Sequence, residues 1–167
     1  LDDGSVKCWG SDNFGQLGDG GALPVAFSTH TPSPVSVDLG IGRTAVSIAT
    51  GYYHSCAVLD NGSIVCWGAD DQGQLGNGGL STSDQSSPST AVDLGVGRTA
   101  VTVTAGRDHV CALLDDGSVK CWGDDLEGQL GAGLNGNTNY NGFGYDSDVP
   151  TPVLLPTGRT AIAVEAN

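Results

Sequence analysis

The thirteen residues Cys66–Gly78, C-W-G-A-D-D-Q-G-Q-L-G-N-G, decide the fold, because a closely similar stretch occurs three times in the chain. The pattern C-W-G-x-D-x-x-G-Q-L-G-x-G recurs at Cys8–Gly20 and at Cys121–Gly133, so the three tryptophans are 58 and 55 residues apart. A second motif, G-R-T-A followed by Val or Ile, is found at Arg43, Arg98 and Arg159. Such self-similarity indicates a repeat architecture, in which each unit packs on its neighbours.

The repeats divide the chain into one repeat domain, 1–167, with units over 1–44, 45–99 and 100–160 and the start of a further unit over 161–167. Each unit contains short β-branched runs and a turn such as Asp60–Gly62. No stretch has the apolar spacing of an amphipathic helix. The sequence therefore predicts an all-β fold of several short strands per unit, joined by linkers that form surface loops.

A third motif, which occurs twice, shows that the chain resembles a known family. Gly51–Leu59 reads G-Y-Y-H-S-C-A-V-L and Gly106–Leu114 reads G-R-D-H-V-C-A-L-L, and each precedes a C-W-G motif. Together these stretches resemble the RCC1 repeat, and the paired cysteines make the chain most similar to bacterial secreted or surface members. The resemblance implies blades of a β-propeller. The founding member of the family is a chromatin-bound nucleotide exchange factor for a small GTPase, which makes regulation of a GTPase one implied function.

Three units are too few to close a propeller, which has roughly four to eight blades. Residues 161–167 align with 45–51, and Leu1 aligns with Leu59. Only the counterpart of residues 52–58 would therefore be missing between the end of one copy of the chain and the start of a second copy. We therefore expect an incomplete propeller or an open repeat array. Either the chain is an excerpt of a longer array, or several copies assemble head to tail into a ring or a filament.

The five cysteines suggest disulfides within the blades. With a two-residue turn at Asn61-Gly62, the sulfurs of Cys56 and Cys66 would lie on different faces of the hairpin. With a three-residue loop they face each other at a distance that a disulfide can span, and the same holds for Cys111 and Cys121. We predict the two disulfides; buried free cysteines and a zinc site are the alternatives. Cys8 has no partner, because its mate would precede Leu1. Disulfides indicate an oxidising compartment, hence an extracellular or cell-surface protein.

Other repeated positions are interpreted as structural. We expect the three tryptophans to pack between neighbouring blades, the two histidines to bind backbone atoms, and the three arginines to pair with aspartates or carbonyls of neighbouring elements. The aspartates that recur in the C-W-G-x-D motif are Asp12, Asp70 and Asp125. The repeated positions in question are Trp9, Trp67, Trp122, His54, His109, Arg43, Arg98 and Arg159.

Residues that do not recur are the candidates for a specific function. They include Arg107, Tyr52, Tyr53 and Phe27, and a group in the long third linker that resembles a recognition loop, namely Tyr140, Phe143 and Tyr145. Asn61 begins a glycosylation sequon on an exposed turn. Calcium at the Asp-rich turns is the alternative to our expectation of no cofactor and no metal.

The charge balance excludes some classes of binding partner. Six basic and 19 acidic residues give a net charge of −13, which argues against nucleic-acid binding and against an anionic membrane surface. No catalytic motif is found, so we expect a non-enzymatic module for protein–protein interaction or self-assembly, whose partners are further blades or other proteins. The alternatives are a GTPase regulator and a glycan-binding propeller, although no aromatic platform is evident from the sequence.

Overall fold

The computed structural model describes residues 1–21, 23, 30–78, 83–88, 90–133 and 146–167. Within these residues the secondary structure consists of strands, turns and bends, and there is no helix that could cross a membrane. The strands are β1 (Lys7–Ser11), β2 (His30–Ser36), β3 (Ala45–Thr50), β4 (His54–Leu59), β5 (Ile64–Gly68), β6 (Ala100–Ala105), β7 (His109–Leu114), β8 (Val119–Gly123) and β9 (Ser147–Pro152). The prediction of an all-β fold is confirmed.

The strands form three antiparallel sheets, one for each unit. Their orders are β1-β2, β3-β4-β5 and β6-β7-β8-β9. The second sheet gains a short outer bridge between Gly68 and Gln85. β3 packs against β6, where Ser47 Oγ lies 3.2 Å from Thr102 Oγ1. The sheets thus follow one another as the blades of an open propeller, with the first strand of each complete blade on the inside.

The hairpin between β4 and β5 has the three-residue loop Asp60–Gly62. The Leu59 amide donates to the Ser63 carbonyl at 2.8 Å, and Gly62 adopts a φ of 78°, which favours glycine. This loop sets Cys56 opposite Cys66, and the third blade repeats the register with Cys111 opposite Cys121. Both pairs are disulfides with a Cα–Cα distance of 4.1 Å, so the predicted pairing is confirmed.

Apolar side chains fill the space between successive blades. One cluster joins β4 and β5 to β6 and β7 and includes Val58, Ile64, Val103 and Val110. A smaller cluster around Val6 joins the first blade to the second. Burial of these side chains is the main force that holds one blade against the next.

Two of the three tryptophans lie where the sequence predicts. Trp67 and Trp122 are 1% and 0% exposed, and each indole Nε1 donates at 3.0 Å to a carbonyl of the preceding unit, Gln16 or Gln74. Gly18 packs against the Trp67 ring, where a Cβ atom would lie 2.6 Å from Nε1. The prediction is wrong for Trp9, which is 63% exposed because the 167 residues contain no unit before it.

The arginines pair with aspartates, but not with those of the C-W-G-x-D motif. Arg43 lies 3.2 Å from Asp60, and Arg98 contacts Asp115 and Asp116 in the equivalent turn of the next unit. These turns follow the arginines by 17 residues or slightly more, and they belong to the next hairpin. For Arg159 the described residues show no ion pair, since an acid 17 residues later would lie beyond Asn167.

The motif aspartates instead stabilise the loop that follows each C-W-G. Asp12, Asp70 and Asp125 each accept a hydrogen bond from the amide five residues later, at 3.0, 3.0 and 2.9 Å. The loop closes on itself through this bond, which explains why an Asp stands at the same place in all three units.

Candidate functional site: the open groove and the aromatic row

An exposed apolar cleft lies between β1 and β3, and we call it the open groove. Two adjoining cavities of about 360 and 390 Å³ lie along it, and Lys7, Trp9 and Ile48 line both. One edge of β1 is paired with β2, whereas no described residue pairs with the other. The groove therefore presents an unpaired strand edge beside apolar side chains.

The residues of β1 are more exposed than the same residues in the third blade. Lys7–Gly10 reads K-C-W-G, as does Lys120–Gly123 in β8. Strand β8 is buried apart from a half-buried Lys120, while β1 alternates between exposed and half-buried residues. Because the residues are the same, the difference arises from the neighbours: β8 lies between β7 and β9, and β1 has β2 alone.

The facing strand shows the same contrast. Ile48 in β3 is 59% exposed, whereas Val103, its equivalent in β6, is 5% exposed. Val103 packs in the cluster that contains Cys56 and Val58 of the preceding blade. Thus each wall of the open groove exposes a side chain whose repeat equivalents are buried between blades.

Cys8 lies at the centre of the unpaired edge. It is the free cysteine of the described residues, and it is half-buried. Burial raises the pKa of its thiol, and the nearby charge of Asp12 raises it further. The thiol is therefore protonated at neutral pH and is a weak nucleophile without a partner to orient it.

A row of aromatic rings adjoins one end of the groove. The Phe14 and Tyr53 centroids are 4.3 Å apart, as are those of Tyr53 and Tyr52, and the Arg107 guanidinium lies 5.4 Å from the centre of the Tyr52 ring. We call these four residues the aromatic row. A hydrogen bond from the Tyr52 amide to the Arg107 carbonyl, at 3.0 Å, links the loops that carry them.

The aromatic row assembles residues that the sequence analysis could not place together. Tyr52, Tyr53 and Arg107 are non-repeating candidates, and Phe14 was missed. They come from three units, and the turn of each blade brings them to one side of the molecule. The rings of the row are tilted against each other, by 40° for Phe14 and Tyr53 and by 53° for Tyr52 and Tyr53. The Tyr140, Phe143 and Tyr145 loop and Phe27 lie outside the described residues.

The sequence predicts that His54 binds backbone atoms through its ring, and for His54 this prediction is wrong. The side chain is 1% exposed, and within the described part of the chain neither ring nitrogen has a hydrogen-bond partner. Its ring instead packs against Gly51, where a Cβ atom would come within 2.1 Å of Cε1. Burial lowers the pKa of His54 to about 4, with a further contribution from His109, so the imidazole is neutral at neutral pH. His109 is also buried, and burial lowers its pKa.

Acidic groups surround the junction of the second and third blades. Burial raises the pKa of Asp70 to about 6, and Asp146 reaches about 6 through burial and the neighbouring Asp124. Among the described residues, no three His, Cys, Asp or Glu side chains form a group that could hold a metal ion. Calcium at the Asp-rich turns therefore stays the alternative to the expectation of no metal, and glycosylation of the exposed Asn61 stays a prediction.

The chain matches models of the regulator of chromosome condensation (RCC1) repeat. One model matches residues 3–58 and 61–113, and a second matches 45–74 and 100–129. The human E3 ubiquitin-protein ligase HERC2 is 32% identical over 132 residues, which cover 79% of this chain and 2% of that protein. The ultraviolet-B receptor UVR8 of Arabidopsis thaliana is 34% identical and matches 78% of this chain and 28% of its own length.

The fold is also that of a solved structure. The crystal structure of Prp20p from Saccharomyces cerevisiae, described together with its binding to Gsp1p and histones, matches 99% of this chain with a TM-score of 0.80 and 22% identity. The chain spans 38% of Prp20p. At this identity the likeness shows the fold, which is a set of propeller blades.

Proposed function

The chain belongs to the RCC1 repeat family, and from that premise we propose that it is a non-enzymatic protein-interaction module whose open groove packs against a further blade of the same type, in the same or in another polypeptide. The observation that carries the proposal is the exposure of Trp9 beside Ile48, at positions whose equivalents are buried between blades. Exposed apolar surface beside an unpaired strand edge marks an interaction site.

Protein partners agree with the description of the structural neighbour Prp20p. Prp20p is described as binding Gsp1p and histones, and both are proteins. For this chain we propose two kinds of partner: further blades of the same type, which stack head to tail in a ring or filament, and other proteins.

The experiment is sedimentation velocity over the micromolar range. We expect the wild-type chain to associate as its concentration rises, and Trp9→Asp to remain a monomer. Ile41→Asp is the matched control, since Ile41 is fully exposed and lies outside the open groove. A wild-type chain that stays monomeric at all concentrations, or a Trp9→Asp variant that associates equally well, would overturn the self-association.

An oxidising compartment is part of the proposal. Two disulfides within the blades support an extracellular or cell-surface location, because such bonds persist outside the reducing cytosol. Secretion can be tested by recovering the protein from its native source and measuring its free thiols before any reductant is added.

The aromatic row supports a second candidate, the glycan-binding function. Tyr52 is 60% exposed, and the Arg107 guanidinium lies over its ring, an arrangement of aromatic and polar groups that a sugar could contact. We expect a glycan array to report binding that Tyr52→Ala abolishes and Ile41→Asp retains. Binding that survives Tyr52→Ala, or no binding at all, removes this candidate. Regulation of a GTPase rests on the family resemblance, and a nucleotide-exchange assay tests it.

A further inference from the structure

A cavity of about 410 Å³ lies between the second and third blades, and we call it the interblade pocket. One wall is the loop Gly76–Gly78, and part of the linker 90–95 forms another. Lys120 of β8 and Val149 of β9 also line it. The interblade pocket shares no lining residue with the open groove, and its volume is typical of a site for a small molecule.

The boundary between the first and second blades has an equivalent place, but its base is apolar. In both places a glycine amide donates to a carbonyl of the next unit, from Gly78 to Asp148 at 2.9 Å and from Gly20 to Ser86 at 2.8 Å. Val65 stands at the position of Lys120, is 7% exposed and belongs to an apolar cluster. The repeat therefore does not need a charged residue at this position.

The ammonium group of Lys120 has no partner within the described parts of the chain, neither a hydrogen-bond acceptor nor a carboxylate. Its equivalent Lys7 pairs across the sheet with Ser36 and donates to the hydroxyl of that residue. Lys120 pairs with Pro152, which has no hydroxyl. The ammonium group is thus half-buried at the pocket and open to a ligand.

Asp93 supplies the opposite charge. Its Oδ1 accepts a hydrogen bond from the Gly95 amide at 2.8 Å, and a Cβ atom on Gly95 would lie 3.5 Å from Lys120 Nζ. Both charged groups therefore lie near Gly95 without forming an ion pair with each other. Val149, which is 49% exposed, and Pro150 add apolar surface to the same pocket.

We propose that the interblade pocket binds a small zwitterion, an α-amino acid with an aliphatic side chain. Lys120 donates to the carboxylate of the ligand, Asp93 accepts from its ammonium group, and Val149 contacts its side chain. The net charge of −13 disfavours a ligand that is an anion as a whole, and Lys120 disfavours a cation, whereas a zwitterion avoids both penalties. The inference goes beyond the proposed function and does not depend on the open groove.

The test is a titration of the full chain, followed by NMR of its backbone amides. The probes are L-valine, isobutylamine, which lacks the carboxylate, and 3-methylbutanoate, which lacks the ammonium group. We expect L-valine to bind about ten- to a hundredfold more tightly than either analogue, the effect of one hydrogen bond to a charged group. The amides of Gly78 and Gly95 should shift on binding. L-alanine and L-leucine, titrated in the same way, cover smaller and larger side chains.

Three variants complete the test. Lys120→Val introduces the residue that the second blade carries at this position, so it should keep the fold and lower the affinity for L-valine at least about tenfold. Asp93→Asn keeps an oxygen for the Gly95 amide and should remove the preference for L-valine over 3-methylbutanoate. Lys7→Val, the matched control, should bind as the parent does.

Three results would overturn the inference. They are the absence of saturable binding of all three amino acids below about 10 mM, equal affinities for L-valine and its two analogues, and an unchanged affinity in Lys120→Val. Each of these leaves the sedimentation result untouched, so the pocket and the proposed function fail separately.

Discussion

Trp67 and Trp122 each join two blades with one ring and one hydrogen bond, so the indole is the residue-scale unit of the repeat interface. Trp67→Ala should lower the free energy of unfolding by about 3–5 kcal/mol, because the ring leaves a cavity between blades and Gln16 loses a donor. Trp9→Ala is the matched control at the same repeat position. It should change stability by less than about 0.5 kcal/mol in the dilute chain.

Urea denaturation of the two variants, followed by circular dichroism, checks this prediction. Equal losses for Trp67→Ala and Trp9→Ala would contradict the account, because they would mean that Trp9 is as well packed as Trp67.

The raised pKa of Asp70 predicts that the stability of the fold depends on pH. Its pKa is raised from 3.8 to about 6 in the folded chain, so the folded state binds this proton more tightly than the unfolded state does. The resulting stabilisation is fully present below pH 3.8 and is lost as the pH rises through 6. Asp70→Asn cannot ionise and keeps an oxygen for the Leu75 amide.

We therefore expect the free energy of unfolding of Asp70→Asn, taken relative to that of the parent, to rise by about 1 kcal/mol as the pH increases from about 5 to about 7.5. Denaturation at both pH values measures it, with the exposed Asp2→Asn as the control. A stability difference between Asp70→Asn and the parent that does not change with pH would contradict a raised pKa. His54 acts in the opposite direction: its pKa is lowered to about 4, so its stabilisation is present above pH 6.5 and is lost as the pH falls towards 4.

At the scale of the elements, the hairpins could be predicted from sequence because loop length alone fixes their register. Choosing three residues for Asp60–Gly62 set Cys56 opposite Cys66. The partners of Arg43 and Arg98 could not be predicted in the same way, since the acids approach through the pairing of β3 with β4 and of β6 with β7, and an irregularity shifts the register of both pairs.

The disulfides make a quantitative prediction about these hairpins. Without reductant, the native chain should show one reactive thiol, Cys8. Cys56→Ser should expose Cys66 as a second thiol after unfolding and lower stability by about 2–3 kcal/mol, the entropy of closing a loop of about ten residues. A thiol titration of native and urea-unfolded protein measures both; five thiols in the native source material would contradict the bonds.

At the scale of the whole molecule, the repeat could be predicted and the environment of each copy could not. Trp9 and Trp122 have the same local sequence, K-C-W-G, and opposite exposures, because burial in a repeat array depends on the adjacent unit. The aromatic row has the same origin: Phe14, Tyr53 and Arg107 are distant in sequence, and the stacking of three blades brings them together.

The central claim is that the open groove, including the free edge of β1, is exposed in the isolated 167-residue chain and becomes covered when a further blade packs on it. Residue-resolved hydrogen exchange of the backbone amides, measured from dilute to concentrated solution, tests it most directly. The account predicts fast exchange in Lys7–Ser11 at low concentration, protection that rises with concentration there and in Ala45–Thr50, and strong protection of Ile64–Gly68 throughout. Protection of Lys7–Ser11 that does not change with concentration would contradict it.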